Sequence, residues 1–202
     1  NVIDGSAQPY YYYGITSYYY LGYNQYLYTP AQINNIGPIS AIQLHSNVDL
    51  TPINPVKIYM GETIKQNFST RSDWVRTGLT LVYDGPVDVS VGWNTITLDN
   101  SFLYNNASNL LICIDSDEAG DGAGGSSASK GFFTESGHTG GLLPGTGMAL
   151  MQYSDSYDND YGNVNYDGTI DDNLPSLKLT FDCVYPTAQA SSLSMSNWAL
   201  NS

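Results

Sequence analysis

Positive charge is what this sequence has least of. Six lysines and arginines stand against 19 aspartates and glutamates in 202 residues, a formal net charge of −13. A phosphate backbone needs a basic footprint on its protein. Nucleic acid is therefore not an expected partner, and neither is an anionic membrane surface. No run approaches the roughly 18 apolar residues of a membrane span, so membrane insertion is not expected either. Segments with helical apolar spacing are nearly absent, which argues against the parallel α/β architectures that host many cofactor enzymes.

Histidine and cysteine are scarce too, at two each. His45 falls in a strand pattern and His138 in the glycine-rich SGHTGG, with no G-x-S-x-G elbow to supply a nucleophile. The two pairs are dispersed without zinc-ligand spacing. Cys113 sits in NLLICID, an apolar strand that raises a thiol pKa and leaves it inert. Cys113 and Cys183 are compatible with one disulfide, or with two separate thiols. GDGAGG lacks the lysine and the following helix of a phosphate loop. These gaps give the expectation that the chain is not an enzyme. The stretch opens on polar NVIDGS, so expected export implies a signal already removed or lying outside this sequence.

What is present is β-forming. The hydrophobic fraction of 42% is carried by Tyr, Val, Ile and Leu, which fit a pleated, half-buried surface. Strands read out at short intervals: ISAIQLHS (39–46), VKIYMGE (56–62), LTLVYDG (79–85), VDVSVG (87–92), NTITLDN (94–100), NLLICIDS (109–116), GFFTES (131–136), GMALMQYS (147–154) and LPSLKLTFDC (174–183). Turn residues separate them, including DLTPINP and Gly85-Pro86. TPAQINN (29–35) is the one candidate helical turn. Eight or more short strands at this spacing predict a sandwich or barrel. Ten of the 18 tyrosines lie between Tyr10 and Tyr28. They read as an edge strand covering one sheet face, or as a binding surface, for which tyrosine offers large contact area at low entropic cost.

At residues 56–114 the pieces IYMGET, SDWV, LTLVYDG, VGWNTITLD, F-x-YN and NLLICID follow one another, and LPSLKLTF comes later. Together they resemble a β-sandwich domain of secreted and surface proteins of Bacteroidetes. That domain is similar to the adhesin or haemagglutinin-type (cleaved-adhesin-like) jelly-roll modules beside gingipain-like proteases. The resemblance implies a jelly-roll sandwich on an exported protein, an adhesive role, no catalytic residues and often bound calcium. The chain lacks the D-x-D-G-D calcium loop near its N-terminus that the resemblance would imply.

Two loops exceed what a hairpin needs, and long loops tend to carry function. The first, 115–130, holds Asp115, Asp117, Glu118 and Asp121 within seven residues. Hard oxygen ligands packed so closely suit calcium, with Asp115, Asp117 and Asp121 as the metal candidates; a solvated acidic loop is the other reading. The positions that an EF-hand needs are missing, since Ala119 and Ser126 stand where oxygen ligands belong. The second, 154–173, interleaves Asp158 and Asp160 with Tyr157, Tyr161 and Tyr166. Carboxylates bond sugar hydroxyls and aromatic faces stack on sugar rings, so these five residues form the candidate ligand site. The same composition also suits a surface loop rich in turn formers.

The expectation is an all-β, antiparallel two-sheet sandwich, jelly-roll-like, over residues 1–183, with 184–202 as a linker or the start of a following module. Its expected work is non-catalytic adhesion or binding, outside the cell or on its surface, with an extracellular glycan or a host or bacterial surface protein as partner. The alternative is a carbohydrate-binding module attached to a secreted glycosidase or protease. A glycoside hydrolase is the remaining reading, because the separation that matters for paired carboxylates is spatial rather than sequential.

Overall fold

The computed structural model describes residues 2–3, 9, 13–15, 19–117, 131–135 and 147–182. Asp121, Glu118, His138, Cys183 and the 184–202 segment expected as a linker lie outside the described residues.

Among the described residues, twelve strands and one short helix follow in chain order: β1 (Val2–Ile3), β2 (Leu21–Tyr28), α1 (Pro30–Ile33), β3 (Gly37–Ser46), β4 (Leu50–Thr63), β5 (Thr80–Val89), β6 (Gly92–Tyr104), β7 (Asn109–Ser116), β8 (Thr134–Glu135), β9 (Ala149–Ser154), β10 (Thr169–Asp171), β11 (Leu174–Pro175) and β12 (Leu177–Phe181). They form a six-stranded sheet ordered β10-β9-β2-β7-β4-β5, a four-stranded sheet ordered β1-β12-β3-β6, and the small pair β11-β8. All pairings are antiparallel. The two larger sheets pack face to face as the expected all-β sandwich.

Strand alternation explains the four-stranded sheet. In β6, Asn94, Ile96 and Leu98 are buried while Thr95, Thr97 and Asp99 are exposed, a half-buried strand with one apolar face. Asn94 closes the turn before it, its Oδ1 accepting from the Ser90 backbone N–H at 2.7 Å while its Nδ2 donates to the Ser90 and Gly92 carbonyls. Gly92 takes φ +110°, which a side chain would resist. Helix α1 begins at Thr29 with a capping box completed by Gln32, as TPAQINN predicts.

The tyrosine-rich β2 is not an edge strand. It lies between β9 and β7, and from Gly22 to Tyr28 every residue is buried. Its second face is covered by the 64–79 segment, where Trp74 packs on Tyr23 with ring centroids 5.1 Å apart and Val75 exchanges two hydrogen bonds with Gln25. Burial on both faces explains why bulky residues recur on both parities of this strand.

Two expected turns are strand instead. Gly85-Pro86 lies within the continuous β5, and the proline is tolerated because β5 is the sheet's edge. DLTPINP is mostly the start of β4, pairing with β5 through a shifted register at Leu50, Ile53 and Val56. Of the strand expected at 131–136, the described residues 131–135 form strand at Thr134–Glu135.

Candidate functional site

The outer face of the six-stranded sheet positions the candidate site. Across it, Asp115 of β7 pairs with Tyr23 of β2 on one side and Lys57 of β4 on the other. One row further along, Cys113 lies between Gln25 and Tyr59. Trp74 and Val75 cover part of this face, and the segment 155–168 covers another part through Tyr161, whose ring lies 4.6 Å from that of Tyr59.

Asp115 is the anomaly in this row. It is 2% exposed, and both its carboxylate oxygens are buried and accept no hydrogen bond from a described residue. Burial pushes its pKa up to about 8, and the nearby charges of Asp117 and Asp160 add to the shift, with Lys57 opposing. Asp117 lies two residues on, its N–H donating to the Pro55 carbonyl at 3.1 Å. Asp160 comes from the far loop, where it bridges to Asn163. One oxygen from each of Asp115, Asp117 and Asp160 lies within 4.8 Å of the others. Two like charges about 4 Å apart repel by on the order of 4 kcal/mol at an effective dielectric near 20, so this trio needs a proton or a cation among its members. Asp158 stands close enough that burial and the charges of Asp117 and Asp160 raise its pKa as well.

The expected metal set thus comes together in part. Asp115 and Asp117 converge, Asp121 lies outside the described residues, and Asp160, read from sequence as a ligand contact, joins the two carboxylates. Nothing in spacing pointed to that, because 45 residues separate Asp160 from Asp115 and only the folding of the loop after β9 brings them together. The donor set is all carboxylate oxygen, which fits a hard cation.

The five ligand candidates divide. Tyr157 and Tyr166 are exposed at 57% and 42%, and their rings pair with centroids 4.9 Å apart and planes 44° from parallel. Asp158 follows Tyr157 in sequence and is half-buried. Tyr161 turns the other way: it is half-buried, packs on Tyr59, and its hydroxyl accepts from the Leu79 N–H at 2.7 Å.

The segment carrying the exposed pair is tied down by buried polar groups that sequence reading missed. Asn159 is fully buried; its Oδ1 accepts from the Asn165 and Tyr166 N–H groups, and its Nδ2 donates to the Tyr166 carbonyl. Gln152 Nε2 donates to the Tyr157 carbonyl at 2.6 Å, and Ser154 Oγ accepts from the N–H groups of Ser156 and Tyr157. Trp74 Nε1 donates to the Tyr166 carbonyl at 3.0 Å, and Arg71 and Gly168 exchange hydrogen bonds. Backbone on both sides of the pair is therefore fixed, and the rings stand on a preset base.

Cys113 is buried as a free thiol, and burial pushes its pKa up to about 12, which matches the inert thiol expected. Trp74 is buried in the core, whereas Trp93 is half-buried on the outer face of the four-stranded sheet, stacked on His45 at 4.7 Å with Lys178 Nζ 3.8 Å from its ring centroid.

Comparison of the chain with family models, curated proteins and solved structures finds no match.

Proposed function

We propose that this chain is a non-catalytic extracellular binding module, of adhesive type, that holds a glycan against the Tyr157–Tyr166 pair. The observation that carries the reading is the pair itself: two large rings exposed side by side on backbone that is hydrogen-bonded from beneath. A preset aromatic surface loses little entropy on binding, and tyrosine adds a hydroxyl for polar contacts. Asp158 and the exposed Asn165 and Asp167 supply acceptors and amide donors around it. The adhesin-type strings over 56–114 support an exported, adhesive module, and the charge of −13 disfavours polyanionic partners.

A glycan array probed with the purified domain tests this reading. Retention of a family of glycans, lost when Tyr157 and Tyr166 are both replaced by alanine, supports it. Binding only to a protein on whole cells, insensitive to glycan competitors, would assign the same face to a surface protein. Turnover of a glycoside by the pure domain would overturn the non-catalytic reading.

A further inference from the structure

We propose that Asp115, Asp117 and Asp160 form a calcium site that ties the end of β7 to the 155–168 segment. Oxygens held at about 2.3–2.6 Å from a calcium ion are at most about 5 Å apart, and the three carboxylates each offer an oxygen within 4.8 Å of the others. They therefore fit one coordination sphere as they stand.

A group of acidic residues would by itself be no more than solvated surface. Asp115 sets this one apart. It is almost wholly removed from water, and neither of its oxygens accepts a hydrogen bond from a described residue, although buried polar groups are nearly always satisfied. A cation supplies the missing partner to the buried Asp115 carboxylate and reverses the repulsion among the three carboxylates.

The chemistry of the donors selects the ion. Three carboxylates, with no nitrogen or sulfur among them, suit a hard cation rather than zinc or copper. Calcium accepts six to eight oxygens in adaptable geometry and can complete its sphere with carbonyls and water. Magnesium demands a tight octahedron at about 2.0–2.1 Å, so the carboxylate oxygens would have to lie within about 4.2 Å of one another.

The site joins the end of β7 to a segment some 45 residues further along the chain. Asp115 and Asp117 belong to β7 and the residue beyond it, and Asp160 belongs to the segment that holds Tyr157 and Tyr166. Calcium would thus fix the base of the tyrosine pair. The site itself stands whether or not that pair binds a glycan.

The test is calorimetric titration of chelator-treated domain with calcium chloride, with no glycan present, alongside thermal melts in calcium and in chelator. One calcium per chain is expected, with a melting temperature that climbs as calcium rises, because a ligand of the folded state alone stabilises it by mass action. Asp160→Asn and Asp117→Asn should each weaken calcium binding at least tenfold, while melting in chelator no lower than the parent, since each removes a like charge. Two variants on separate segments keep the result readable if one fails to fold. Equal melting temperatures in millimolar calcium and in chelator would overturn the proposal. So would undiminished calcium binding by Asp160→Asn, or equal stabilisation by magnesium.

Discussion

Tyr161 packs its ring 4.6 Å from that of Tyr59, and its hydroxyl accepts the Leu79 N–H at 2.7 Å. One loop thereby contributes to the fold at one tyrosine and to solvent at another, since Tyr157, four residues earlier, is exposed. Burial also holds Tyr59 neutral, its pKa pushed up to about 12 with help from the charge of Asp115.

Replacing Tyr161 by phenylalanine should cost about 1 kcal/mol through loss of the Leu79 hydrogen bond. The matching change at Tyr157 should cost nothing measurable, because that residue is exposed. Denaturant midpoints of the two variants check this. Equal stability would mean that Tyr161 does not anchor the loop.

How far these roles could be read from sequence depends on what each residue answers to. The alternation of Asn94, Ile96 and Leu98 in β6 and the continuous apolar run of β7 are local signals, and both strands form where they predict. Gly85-Pro86 misleads because an edge strand tolerates the missing N–H, and edge position is a property of the sheet rather than of the dipeptide. β2 misleads likewise: its placement between β9 and β7 depends on partners far along the chain. The composition of the 154–173 loop shows its aromatic and acidic character. Which tyrosine faces in, and that Asp160 meets Asp115, follow from long-range packing that no spacing rule contains.

Gly168 marks how tightly the loop returns to the sheet. A Cβ there would lie 2.6 Å from Trp74 Cζ2, 2.8 Å from Leu150 Cδ1 and 3.0 Å from the Met151 carbonyl oxygen. Gly168→Ala should therefore destabilise the domain by about 1–3 kcal/mol, the range for overpacking. Chemical denaturation measures it, and an unchanged midpoint would show that the loop is not seated against Trp74.

Asp73 ties the 64–79 segment together internally, through Lys65 and Ser69. Burial alone would raise its pKa, but the hydrogen bond from Lys65 Nζ at 2.7 Å and those from Ser69 outweigh burial and lower it. A carboxyl lowered on folding contributes stability above its unfolded pKa of about 3.9 and loses it as pH falls through the folded value. Asp73→Asn should thus be less stable than the parent at pH 6, with the gap closing below about pH 4. Melting curves across pH 2–6 test it, and a gap independent of pH would remove the charge from the account.

The most direct test of the account is binding by the double variant in which Tyr157 and Tyr166 both become alanine, measured against an array-identified glycan or whole cells and paired with a melting curve. The backbone groups of both residues keep their partners Gln152, Asn159 and Trp74, so removing two exposed rings should leave stability nearly unchanged. Affinity should fall at least tenfold, as for loss of central aromatic contacts. Full binding by a well-folded double variant would contradict the account.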